Sequence, residues 1–192
     1  VLEHVVREAQ EQGGFAAMTD GEISALTERC MDSCMKTYLP QGQAAARELT
    51  QVIRYLTEHQ KQFSVNMDDY AIFGFSAGGL MTTAYSFANY EDCCHKNHLP
   101  RPKVIFPMYG LDWNIKALQE DKGLAVFSIV GRDDEFGFAN VEDKLPELEK
   151  VLGKENVSVR IVDGLGHGFG IGNETKVKNW LQEAVSFWEA HR

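Results

Sequence analysis

Apolar residues recur at helical spacing through the first third of this chain and in short continuous runs after residue 70. Leu2, Val5, Val6 and Ala9 predict an amphipathic helix over residues 2–12, which Gly13-Gly14 ends. Thr19-Asp20-Gly21-Glu22 has the form of a capping box and leads into a helix with Ile23, Leu26, Cys30 and Cys34 on one stripe. Tyr38-Leu39-Pro40 breaks that pattern, and a longer helix is expected over 44–63 with Ala45, Leu49, Val52, Ile53 and Leu56 on one face.

From Tyr70 the period changes. Tyr70-Ala71-Ile72-Phe73 predicts a buried strand, and a helical stretch follows from Leu80 to Ala88. Residues 89–102 read as a polar loop. Val104-Ile105-Phe106 and Leu124 to Val130 are the next strands, joined by a connection over 107–123. A helix carrying Val141, Leu145 and Leu148, a strand from Val157 to Val162, and a closing helix with Val177, Leu181, Val185 and Trp188 complete the chain. Wholly apolar strands alternating with amphipathic helices predict an α/β fold, a parallel sheet with helices on both faces, of reduced strand number and with a helical N-terminal segment. At 192 residues the chain fits one domain over 1–192, with 1–43 atypical. Only four parallel strands leave an edge for a second copy or the N-terminal helices to cover, so a homodimer is a partner to consider.

Charge narrows the function. The formal net charge is −9 with no Lys/Arg cluster, which argues against nucleic acid and anionic membrane as partners. No run of apolar residues reaches membrane-spanning length, and no charged segment followed by an apolar stretch suggests a retained signal peptide. The four cysteines, Cys30, Cys34, Cys93 and Cys94, do not form a disulfide framework, so a reducing, cytoplasmic setting is expected. Cys93-Cys94-His95 with His98 could suit zinc on paper, but adjacent cysteines are awkward joint ligands and no metal is expected. Cys30 and Cys34 are expected as small buried hydrophobes.

The chemistry centres on Gly74-Phe75-Ser76-Ala77-Gly78-Gly79, between the first strand and its helix. A serine on an abrupt strand-to-helix turn, with glycine two residues before and two after, has the form of a nucleophile elbow. Gly74 and Gly78 are expected to remove collisions on either side of Ser76. The N–H of Ala77 at the helix start is the expected oxyanion donor. Asp134 follows the strand ending at Val130, and His167 follows the strand ending at Val162. Open parallel sheets gather functional groups beyond the carboxyl ends of their strands, so these three residues can meet. Taken singly, Ser76 reads equally as a helix cap, Asp133 and Asp134 as turn acids, and His167 as a loop histidine. Together they have the order and the chemistry of a Ser-His-Asp triad: nucleophile, proton carrier and orienting carboxylate.

Three segments carry a family resemblance: the run from Asp69 to Gly79, the loop Gly131-Arg132-Asp133-Asp134, and Gly164-Leu165-Gly166-His167-Gly168-Phe169-Gly170. They resemble the acetyl-esterase and lipase-like carboxylesterases of the α/β-hydrolase superfamily over about residues 44 to 192. The resemblance implies a serine esterase that needs no cofactor, acting on small-molecule esters with short acyl groups, often acetyl groups on sugars. It also implies several strands and a second oxyanion loop ahead of the elbow, and residues 1–43 show no such β-rich segment. The front part of that fold is therefore expected to be missing or replaced by helices. Phe75 beside the serine, and Tyr109 and Trp113 in the connection, are the expected substrate-binding residues, with Tyr109 and Trp113 able to stack on a sugar or to pack at the rim. A binding or oligomerisation module of weak or no activity is the alternative reading, as is a related thioesterase or peptidase.

Overall fold

The computed structural model describes residues 13, 17–88, 91–111, 123–136, 138–172 and 175–192. The expectations placed on residues 2–12, on Trp113 and on the side chains of Cys30 and Cys34 lie outside the described residues. Two compact units divide the chain, Val1–Gln41 and Gly42–Arg192.

In the first unit the capping box forms as its residue types require. The Thr19 N–H donates to Glu22 Oε2 at 2.8 Å, and the Glu22 N–H donates to Thr19 Oγ1 at 3.3 Å. The helix that starts there, α1, is a single element, Asp20–Glu58, of 39 residues. This corrects the expected break at Tyr38-Leu39-Pro40. A proline inside a helix forfeits one hydrogen bond and crowds a carbonyl, at about 3 kcal/mol, and good helix formers such as Ala44-Ala45-Ala46-Arg47 can outweigh that. A short helix, α2, follows at Gln60–Phe63.

In the second unit, β1 (Ala71–Phe75), β2 (Val104–Met108), β3 (Ala125–Gly131) and β4 (Val157–Val162) form one parallel sheet in the order β1-β2-β3-β4. Helix α3 (Ala77–Thr83) follows β1, α4 (Leu145–Leu152) precedes β4, and α5 (Trp180–His191) closes the chain. The period-two alternation of the strands sorts the core into two faces. Val104, Phe106, Met108, Phe127 and Ile129 pack with Trp180 and Ala184 of α5. Ile105 and Val126 turn the other way and pack with Phe87, Leu148 and Leu152. The architecture is α/β, with helices on both faces of a four-stranded parallel sheet.

Two helix faces differ from expectation in detail. In α1, Ile53 is buried and Leu49 and Leu56 pack beside it as expected, while Val52 is exposed and Ala46 is buried in its stead. In α5, Trp180 and Ala184 point inward, and Leu181 and Val185 are exposed. Both helices carry more apolar residues than one stripe needs, and the period of 3.6 allows either choice until packing decides. Of the expected loop 89–102, the described residues 91–102 are less loop-like than expected. Glu91–His95 make a widened, π-helical turn that buries Cys93 and Cys94, and the Cys93 thiol lies 3.7 Å from the Ala46 carbonyl.

Pro107 inside β2 has no N–H to give the ladder. Regular pairing of β2 with β3 covers Val104 with Ala125 and Ile105 with Val126. Beyond it, the buried Ser128 hydroxyl donates to the Pro107 carbonyl at 2.6 Å, and the Tyr109 N–H reaches the Ile129 carbonyl at 3.0 Å. A side-chain hydroxyl thus satisfies the Pro107 carbonyl where the regular ladder has stopped. Among the described residues, no helix is long and apolar enough to cross a membrane.

Candidate active site

The chain leaves β1 at Phe75 and enters α3 at Ala77, so the whole reversal falls on Ser76. Its backbone stands at φ 52° and ψ −118°, a conformation that side-chain-bearing residues adopt at a cost of about 1–3 kcal/mol. Two backbone bonds hold it there. The Ser76 N–H donates to the Met108 carbonyl at 3.1 Å, and the Ser76 carbonyl accepts from the Leu80 N–H at 3.1 Å.

The two flanking glycines are not equivalent. A methyl on Gly74 would fall 2.1 Å from the Gly78 carbonyl oxygen, so the chain can turn back on itself only if that position is bare. A methyl on Gly78 would meet nothing within 4 Å, which corrects the expectation that both glycines relieve collisions. The second close approach comes from Gly110, where a methyl would fall 2.1 Å from the Ser76 carbonyl oxygen. That contact joins residues far apart in sequence and leaves no local signature.

Asp134 and His167 are brought together by the neighbouring ends of β3 and β4. The Arg132 N–H donates to the Val162 carbonyl at 2.9 Å and the Asp133 N–H to the Leu165 carbonyl at 3.1 Å. Gly131 fits against the same segment so closely that a methyl would fall 1.8 Å from the Leu165 carbonyl oxygen. Outside this seam, the Arg132 guanidinium donates to Asp163 at 2.6 Å and to Glu142 at 2.9 Å. Those bonds hold the Glu142 carboxyl below its ordinary range. Exposed pairs of this kind contribute little singly, so the backbone seam is the stronger tie.

The three side chains meet in one row. His167 Nε2 lies 2.8 Å from Ser76 Oγ, and His167 Nδ1 lies 2.8 Å from Asp134 Oδ2. A carboxylate accepts only, so its partner Nδ1 carries the proton and Nε2 is left to accept from the serine hydroxyl. The Asp134 carboxyl is fully buried, and its other oxygen, Oδ1, accepts the Phe136 N–H at 2.9 Å. Both oxygens of the acid are thereby fixed. Ala77 is the first residue of α3, where N–H groups have no acceptor within the helix.

The other expected contact residues occupy different surroundings. Phe75 points to the α5 face, with ring centroids 6.0 Å from Trp180 and 5.8 Å from Tyr109. Tyr109 is only 6% exposed, at φ 36°, and packs edge-on against His167 at 4.9 Å and Phe169 at 4.7 Å. Its surroundings are therefore the protein's own rings, which argues for the packing role and against an open stacking wall. Phe136, which the sequence did not single out, lies with its ring 4.7 Å from that of His167. Among the described residues, no group of three or more His, Cys, Asp or Glu could hold a metal ion.

No protein-family model and no curated protein matches the chain. Among solved structures, the chain is similar to a Klebsiella pneumoniae protein named as a dienelactone hydrolase. That match has 19% sequence identity and a TM-score of 0.36, and covers 62% of this chain and 51% of that chain. The chain therefore spans about half the length of the structure it matches.

Proposed function

We propose that this chain is a serine hydrolase of the α/β-hydrolase type, cleaving short acyl esters, acetyl esters of carbohydrates among them, through an acyl-enzyme. The observation that carries the reading is the unbroken row from Ser76 Oγ through His167 to Asp134, with 2.8 Å at each step, on a backbone turn that presents the serine. In the first half-reaction Oγ attacks the ester carbonyl as Nε2 takes its proton, and Asp134 stabilises the imidazolium that results. The N–H of Ala77 is the group we assign to the oxyanion. The tetrahedral intermediate then expels the alcohol, which leaves with the proton from Nε2. Water repeats the sequence against the acyl-enzyme and restores Ser76. Nothing in this scheme requires a cofactor. The connections of the sequence, 89–102 and 109–123, are short and leave little material for a lipase-like lid, which favours a small acyl group.

The test is direct. The folded protein should hydrolyse p-nitrophenyl acetate and take a fluorophosphonate label on Ser76, and Ser76→Ala should lose both, with turnover down by about 10⁴-fold or more. A folded wild-type chain that takes no label would refute the reading. It would favour the second one, a binding module, which draws support from β1: among the described residues it pairs with β2 alone, and no strand on its outer edge brings a second oxyanion N–H.

A further inference from the structure

We infer that Phe136 forms the wall against which the alcohol part of the ester lies, so that it favours alkoxy groups that present an apolar face, an aromatic ring or the C–H face of a sugar, and leaves the acyl group to be chosen elsewhere. This inference rests on the serine-hydrolase reading above. Among the described residues, two rings flank the imidazole of His167. Tyr109 lies at 4.9 Å with an interplanar angle of 73°, and Phe136 at 4.7 Å with 62°. The two are unequal in one respect: Tyr109 is 6% exposed and Phe136 is 49% exposed. One flank of the imidazole is thus closed by the protein interior, and the other is bounded by a ring half open to solvent. The His167 side chain itself is 13% exposed, so a molecule reaching Nε2 has a narrow approach.

Phe136 is also held in place. Its N–H donates to Asp134 Oδ1 at 2.9 Å, while Asp134 Oδ2 pairs with His167. The loop that carries the acid therefore fixes the backbone from which the ring projects to the imidazole, 4.7 Å away. An exposed phenyl group pinned in this manner is a surface for a ligand rather than a loose side chain.

Chemistry says which part of the ligand comes there. During acylation the bond from Oγ to the carbonyl carbon forms, the bond from that carbon to the alkoxy oxygen breaks, and the proton from Oγ passes through Nε2 to the departing oxygen. The alkoxy oxygen must come within hydrogen-bond reach of Nε2 to receive that proton. The carbon skeleton attached to it then emerges beside the imidazole, along the flank that Phe136 bounds. The acyl chain is bonded to the carbonyl carbon above Ser76 and does not have to pass this ring. In the second half-reaction the alcohol has gone and water takes its place, so Phe136 acts on acylation alone.

The experiment compares two substrate ratios in wild-type protein and Phe136→Ala. Benzyl acetate against methyl acetate varies the alcohol, and methyl butyrate against methyl acetate varies the acyl group. The substitution should lower the benzyl-to-methyl ratio of kcat/KM by about 10-fold and leave the butyrate-to-acetate ratio within about 2-fold. General damage to His167 would lower every rate together and cancel from both ratios. Phe136→Leu should recover part of the benzyl preference. An unchanged benzyl ratio, or a shift in the acyl ratio instead, overturns the inference while the hydrolase reading stands. Loss of Ser76 labelling and of all turnover in wild-type protein is the distinct failure of that reading. A binding measurement covers this case: benzyl alcohol should move the His167 ring resonances in wild-type protein and not in Phe136→Ala, and equal shifts in both would overturn the inference.

Discussion

The serine and the acid stand on strands of opposite character. Every residue of β3 is buried, whereas β1 buries only Gly74 and exposes Phe73 and Phe75. Among the described residues β1 is an edge strand, paired only with β2, while β3 lies between β2 and β4. Asp134 thus inherits its position from the middle of the core, and from a seam of backbone bonds to the segment that carries His167. Ser76 has less of that support, one backbone bond to Met108 at the end of β2. Its place is set by contacts at the turn itself, where Gly74 meets Gly78 and Gly110 meets Ser76 at backbone contact. The lesson is that one site can be positioned by burial on one side and by backbone fit on the other.

The largest effect expected on the acid side is catalytic. Asp134→Asn keeps the size of the side chain and should keep the fold, but it can donate to His167 and so favours the wrong tautomer. Turnover of p-nitrophenyl acetate should fall by about 10⁴-fold with an unchanged melting temperature. Survival of most of the activity would mean that Asp134 does not orient His167.

On the serine side the largest effect expected is on folding, and the two elbow glycines should respond differently. Gly74→Ala drives a methyl into the Gly78 carbonyl and should cost about 3 kcal/mol or more in urea unfolding. Gly78→Ala puts the methyl into open space inside a helix and should change stability by about 1 kcal/mol or less, in the stabilising direction. Equal losses would show that the elbow is not positioned by the contact seen at Gly74.

The smallest effect concerns what backs β1. Tyr70 and Ile72 pack against Ala46, Ile53, Tyr85 and Cys94. Burial pushes the Cys94 thiol up from its ordinary 9.0 to about 11. The unfolded chain loses this proton near pH 9 and the folded one only near pH 11, so the contribution to stability is complete below pH 9 and is lost as pH rises toward 11. Tyr70 and Tyr85 are also raised by burial from 10.0, which extends the loss above pH 10. Urea midpoints measured from pH 8 upward should fall through this window, and Cys94→Ala should flatten the first part of the fall. A midpoint independent of pH would show that these groups are not held neutral by the fold.

Much of this arrangement could be read along the chain because its signals are local. Continuous apolar runs gave the four strands, and glycines around a serine, an acid and a histidine at successive strand ends marked where chemistry could gather. What escaped was settled by contacts between distant residues. Gly110 matters through Ser76 and Phe136 through His167, partners that lie tens of residues away in sequence. The stripe in α5 shifted because Leu181 and Val185 matched the period as well as Trp180 and Ala184 did, and only packing on the sheet could choose. Pro40 failed to end its helix because a local penalty of about 3 kcal/mol is spread against the hydrogen bonds of a 39-residue element.

The twisted backbone at Ser76 has a consequence for timing. Its torsional cost, about 1–3 kcal/mol, is met when the polypeptide first folds. The backbone afterwards holds the Cα–Cβ bond already aimed, so in the proposed reaction less orientational freedom is left to surrender when a molecule arrives.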